Sequence, residues 1–222
     1  MTTYLQGLDV SHYSGAIDWG RVARDTAPAF VYVKASEGCS TDPRFAENFA
    51  AIKAQGMLRG AYHLFHPDHD PAAQAQHFLQ LASPAGDLAP ALDIEALAPS
   101  MPDAAYAQAI RLWLDIVGGK LQCAPLLYAS ASFWDRHVGT FSTFVADPLW
   151  IAHYTDAAQP ALPAGANGFA FWQYSGQGKV AGIPAPIDLN RFNGSAAQLQ
   201  ALRYGNASTV TPTIQVPAER AP

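Results

Sequence analysis

Eight short runs of apolar or alternating residues recur along the chain, and amphipathic stretches separate the earlier ones. Residues 5–11, 30–36, 60–65, 89–95, 125–130, 149–154, 169–174 and 187–191 read as strands, because they are short, rich in β-branched and aromatic residues, and bounded by Gly, Pro or Asp. Between the first six runs the spacing changes to that of helices. Asp18 is placed to cap a helix over 19–24, and Asp42-Pro43 to open one that runs to Gln55, with Gly56 closing it. Further helices are expected over 72–81, from Pro102 to a stop at Gly118-Gly119, and over 133–137. Tyr106, Ile110, Trp113 and Val117 recur at helical spacing and predict one buried face on the long helix. After residue 149 the connections are Gly-, Pro- and Ala-rich with little room for helices, until a last helix over 196–204.

Five strand–helix alternations imply parallel strands joined by right-handed crossovers. Eight strands in so short a chain close most naturally into an irregular α/β barrel. Residues 1–205 are expected to form that barrel, and the Thr-, Pro- and Ala-rich stretch 206–222 a disordered tail or linker. In a parallel barrel, functional side chains gather at the C-terminal ends of the strands. Those positions are Asp9, Lys34, Tyr62, the pair Asp93 and Glu95, Tyr128, Trp150 with Tyr154, Gln173 and Asp188.

Asp93-Ile94-Glu95 is the stretch that asks for an explanation. In a strand, residues i and i+2 face one side, so both carboxylates project together about 7 Å apart at the backbone. Buried like charges are costly, and one of them keeps its proton. Taken alone, the pair is equally a satisfied ion pair or a catalytic one. With Asp9 and Asp188 arriving at the same mouth, together with tyrosines and Trp150 able to stack on sugar rings, it becomes an acid cluster suited to glycosidic chemistry.

Composition narrows the classes further. Of 222 residues, half are hydrophobic and 14% charged, which allows a sizeable core. A net charge of −5 without a basic cluster gives no footprint for nucleic acid. No apolar run approaches the roughly 20 residues of a membrane span, and the N-terminus shows no signal-peptide pattern. Without that pattern the chain is expected to stay in the cytoplasm, to have lost a signal, or to leave by lysis or another non-secretory route. Cys39 and Cys123 fall at opposite ends of the expected barrel, so two free thiols are predicted. The loop 66–70 carries metal-ligand residue types, but reads as a polar loop with Asp70 capping the next helix. No metal or cofactor is expected. A serine nucleophile elbow is absent from the sequence.

Several stretches carry a resemblance. Gly7-Leu8-Asp9-Val10-Ser11, Val33-Lys34-Ala35-Ser36-Glu37-Gly38, Gly60-Ala61-Tyr62-His63, Leu92-Asp93-Ile94-Glu95, Leu149-Trp150-Ile151-Ala152-His153-Tyr154 and Trp172-Gln173-Tyr174-Ser175 resemble glycoside hydrolase family 25. These are lysozymes of the Chalaropsis and cellosyl type, phage endolysins among them. The resemblance runs in order over about residues 5–204. It implies a TIM-like (βα)5β3 barrel and hydrolysis, with retention, of the β-1,4 bond between N-acetylmuramic acid and N-acetylglucosamine in bacterial peptidoglycan. It also implies Glu95 as general acid/base, Asp93 as its assistant, and Asp9 and Asp188 as the remaining acids. Lys34, Tyr62, Tyr128, Trp150, Tyr154 and Gln173 are the expected substrate-binding residues of a monomeric enzyme. Two alternatives remain: a non-catalytic glycan binder on the same barrel, and a chitinase-like hydrolase. Ala91 interrupts the longer acidic run of the latter.

Overall fold

A computed structural model describes residues 4–82, 86–97, 99, 101–139 and 141–203. The expectation for residues 206–222 lies outside the described residues. The strands are β1 (Leu5–Val10), β2 (Phe30–Glu37), β3 (Ser40–Thr41), β4 (Arg59–Leu64), β5 (Ala91–Asp93), β6 (Leu126–Ser130), β7 (Leu149–Ala152), β8 (Phe171–Gly178) and β9 (Ile187–Phe192). The helices are α1 (Trp19–Asp25), α2 (Phe45–Ala54), α3 (Pro71–Leu81), α4 (Asp103–Leu121), α5 (Ala131–His137) and α6 (Ala196–Ala201).

The sheet closes on itself. β1 pairs with β2 on one side and β9 on the other, and β2, β4, β5, β6, β7, β8 and β9 follow in order around the ring. This is the eight-stranded α/β barrel that the pattern predicts. β3 is a two-residue addition on the end of β2 that the sequence reading did not foresee. The last strand departs from a purely parallel barrel. β7 and β8 are parallel, but β9 runs antiparallel to both β8 and β1.

Two apolar layers hold the barrel. Inside it, Phe30 lies 5.0 Å from Phe171, and Tyr32 lies 4.8 Å from Trp150, centroid to centroid. β2 is not a neighbour of β7 or β8 in the sheet, so these rings meet across the lumen. The strands approach closely enough because Gly7 and Gly60 lack side chains: a Cβ at either would lie 2.3 Å from the ring of Phe30 or Tyr32. Truncating Phe30, which is fully buried, should cost about 3–5 kcal/mol. Outside the strands, Val31, Val33, Leu92, Ile94, Leu127 and Ile151 pack under the helices with Trp113, Phe78 and Trp134. Alternation along each strand thus sends one set of residues to the lumen and the other to the helices.

Local boundaries follow capping chemistry. Asp18 caps α1 by accepting from Arg21 N at 2.9 Å, and Asp70 caps α3 by accepting from Ala72 N at 3.0 Å. Two expected boundaries move. α2 begins later than expected, at Phe45 with Arg44 in the N-cap position, while Asp42 bonds His12 and Arg44 N in the turn before it. Gly118-Gly119 does not end α4; the helix continues to Leu121 and stops at Gln122 in the left-handed conformation, φ 54°. Gly118 instead admits the returning chain, since a Cβ there would meet the Cys123 carbonyl at 2.9 Å. The two cysteines are free thiols, as predicted. No helix among the described residues is long and apolar enough to cross a membrane.

Candidate active site

The interior grades from apolar at one end to polar at the other, where a cleft of about 370 Å³ opens. All ten residues selected from the sequence line it: Asp9, Lys34, Tyr62, Asp93, Glu95, Tyr128, Trp150, Tyr154, Gln173 and Asp188. Three routes bring the acids there. Asp9 is near the C-terminal end of β1. Asp93 ends β5, which is shorter than expected, so Glu95 lies beyond the strand. The ladder nevertheless persists for one more step, Phe65 N donating to Asp93 O and Ile94 N to Tyr128 O, both at 2.9 Å. Ile94 therefore points into the outer core and both acids into the cleft. Asp188 is the correction. It stands at the N-terminal end of β9, and reaches the mouth because that strand runs backwards. Asp188 and Asp9 are direct cross-strand partners.

Asp9 is buried, and its Oδ2 accepts from Gln173 Nε2 at 2.9 Å and Asn190 Nδ2 at 2.7 Å. Burial raises its pKa to about 6 against those two hydrogen bonds, with the Glu95 charge adding to the rise. Both amides are held in one orientation. The indole of Trp150, a donor only, gives its N–H to Asn190 Oδ1 at 2.9 Å, so the Asn190 amine must face Asp9. Gln173 Oε1 accepts from Tyr128 at 2.8 Å and Tyr154 at 2.7 Å. Trp150 is buried in the cleft wall, whereas Tyr154 is 60% exposed at the rim.

Asp93 is buried at the centre of the acid cluster. Burial, then the charges of Glu95 and Asp9, push its pKa well above the usual carboxylate range, and Lys34 only partly offsets them. Its Oδ1 is buried and accepts no hydrogen bond from the described residues. Glu95 is exposed to the cleft, yet the surrounding walls desolvate its carboxyl enough to raise its pKa, with Lys34 lowering it and Glu37 raising it. Asp188 rises to about 7 through burial and the nearby Asp9 and Glu95 charges.

Glu37 also lines the cleft and was missed by the sequence reading. Strand alternation puts Lys34 and Glu37 on opposite faces. A register shift between Lys34 and Ser36 reverses that parity, so both turn inward and Lys34 Nζ bonds Glu37 Oε2 at 2.5 Å. Ser36 turns outward to His63, with Oγ to Nδ1 at 2.8 Å. The buried Gln74 bonds the backbone of His66 and His69, and so holds His66 Nε2 3.1 Å from Glu37 Oε1. Asn190 was missed as well, although its signal was legible: it is two residues after Asp188, on the same face. Tyr13, 75% exposed, adds a ring at the rim 5.9 Å from Lys34 Nζ.

Residues 8–183 match the family described as Glycosyl hydrolases family 25. The chain belongs to this family. It is a glycoside hydrolase of the lysozyme class, which removes the reading as a non-catalytic binder. This family 25 enzyme is 35% identical over 225 residues to Lysozyme M1 of Streptomyces globisporus, spanning 93% of this chain and 74% of that one. It is 30% identical over 216 residues to the N,O-diacetylmuramidase of Chalaropsis sp, spanning 90% of this chain and all of the other. Among solved structures, the bacterial lysozyme from Streptomyces coelicolor superposes with a TM-score of 0.84 at 32% identity, over 93% of this chain and 100% of that one.

Proposed function

We propose that this family 25 enzyme is an N-acetylmuramidase. It cleaves the β-1,4 bond between N-acetylmuramic acid and N-acetylglucosamine in peptidoglycan, with retention of configuration. Glu95 is the general acid/base and Asp93 its assistant in a route that uses the substrate's own 2-acetamido oxygen as nucleophile. The observation that carries this reading is the unpartnered, buried Oδ1 of Asp93 beside an exposed Glu95.

A buried carboxylate oxygen without a donor is costly, so the site favours a substrate that brings one. The N–H of a 2-acetamido group is such a donor. Once it bonds Asp93, the charged form of Asp93 is favoured, and the proton shared among the crowded acids settles on Glu95. Glu95 then stands protonated in the open cleft, where it can protonate the leaving glycosidic oxygen. Asp93 meanwhile orients the acetamido oxygen toward the anomeric carbon and stabilises the positive charge that develops there. In the second half of the reaction Glu95 takes a proton from the incoming water. Asp9 and Asp188 complete the acid cluster at the mouth, and Asp9 is held in place by Gln173 and Asn190.

The test is mass spectrometry of the reducing ends released from purified peptidoglycan, with the anomer of the first product read by NMR. Muramic acid ends in the β configuration are expected. Glucosamine ends would overturn the bond assignment, and an inverted first product would overturn the acetamido route. Hydrolysis of chitin in preference to peptidoglycan would favour the chitinase-like alternative.

A further inference from the structure

Tyr154 lines two cavities: the acid cleft, and a second groove of about 500 Å³ on the outer side of the rim. No helix occurs between β7 and β9 in the chain, so this part of the outer barrel wall lacks a crossover cover. The groove is lined by Tyr154, Thr155, Asp156, Tyr174, Ser175 and Arg191. Arg191 is on the outward face of β9, between Gln6 of β1 and Trp172 of β8. Its guanidinium lies 4.0 Å from the Tyr174 ring centroid, 4.7 Å from Trp172 and 5.6 Å from Tyr4. Among the described residues it makes no ion pair. Asp156 shares the groove but is not within ion-pair distance of it.

A planar cation fixed by three aromatic faces, with its N–H edge unclaimed, is prepared for a carboxylate. The basic side chains on the opposite side of the cleft already have acidic partners: Lys34 and His66 bond Glu37, and His12 bonds Asp42 at 2.7 Å. Distance fits a flexible branch of the substrate. Arg191 follows Asp188 by three residues, about 10 Å down the strand. A peptide of four or five residues leaving the cleft over Tyr154 spans roughly 13–17 Å.

We propose that Arg191 and this groove bind an acidic peptide, namely the stem that branches from the muramic acid residues of the glycan strand. This rests on the peptidoglycan reading above. The stem would anchor the strand beside the acids, so its contribution appears as substrate affinity rather than as chemistry.

The experiment compares two substrates: peptidoglycan with intact stems, and the same glycan strands stripped of stems by an amidase. Arg191→Met, which keeps an unbranched chain over the rings, is expected to raise KM about fivefold on stem-bearing strands with kcat unchanged. On stripped strands it should equal the wild type. Arg191→Lys, which keeps the charge but not the planar fork, should recover part of the loss, and it decides the matter if the Met variant does not fold. An equal loss on both substrates, or no loss on either, would overturn the assignment. A wild-type enzyme that releases no reducing ends from either substrate would instead overturn the muramidase reading itself.

Discussion

Gln173 donates from Nε2 to Asp9 Oδ2 at 2.9 Å, across 164 residues of sequence. The same side chain accepts the hydroxyls of Tyr128 and Tyr154 on Oε1. One amide therefore ties three strands and the rim to a buried acid, and it cannot flip without losing three bonds.

Replacing Gln173 with Leu should strip Asp9 of one of its two amide donors and leave Tyr128, also in the wall, without its acceptor. Since those donors hold the Asp9 pKa down, it should rise beyond about 6. The acid limb of kcat/KM against pH is expected to move upward, and unfolding stability to fall by about 1–3 kcal/mol. An unchanged profile with lowered stability would mean that Gln173 only packs.

The two central acids should separate kinetically. Glu95→Gln is expected to lower kcat by about 10²–10⁴-fold, with modest change in KM. Asp93→Asn keeps the shape but exchanges an acceptor for an amide, and should reduce turnover on N-acetylated glycan strands by a comparable factor. Near-wild-type turnover of Asp93→Asn would remove its assisting role, and full activity of Glu95→Gln would remove the acid.

Lys34 and Glu37 act on Glu95 with opposite signs. The Lys34 charge lowers the Glu95 pKa and the Glu37 charge raises it. A general acid works only while protonated, so its pKa sets the basic limb of the pH profile. Lys34→Met should move that limb to higher pH. Glu37→Gln should move it to lower pH, by removing an anion and freeing Lys34. Shifts of the same sign in both variants, read from kcat/KM against pH, would contradict the arrangement.

Stability should also depend on pH through Asp188. Its pKa rises from 3.8 to about 7 on folding, so the folded chain keeps a proton that the unfolded chain releases. That contribution is complete below pH 3.8 and is lost as the pH rises through about 7. Asp188→Asn is not subject to this loss. Above neutrality it should be more stable than the wild type by about 1–3 kcal/mol while turning over more slowly, a measurable exchange of activity for stability. Thermal unfolding followed across that pH range checks it.

Much of the barrel was legible along the chain because its signals are local. Short apolar or alternating runs marked the eight barrel strands, and the caps at Asp18 and Asp70 marked two helix starts. The inward residues at the strand ends then named ten side chains that one cleft collects. Asp93, Ile94 and Glu95 divided between cleft and core as alternation requires, even though β5 itself ends at Asp93.

Tertiary structure decided what depends on pairing between distant strands. Glu37 enters the cleft only because β2 slips register against β4 beyond Lys34, and a single strand carries no mark of its partner's register. Asp188 reaches the mouth from the start of its strand because β9 returns antiparallel between β8 and β1. Asn190 and Gln173 meet at one oxygen of Asp9, an acid more than 160 residues away from either. The sequence by itself placed the acids on inward faces, since side-chain direction follows from local backbone geometry. Closure of the sheet decided their neighbours, and with them each proton affinity, because burial and opposing charge are properties of the assembled barrel.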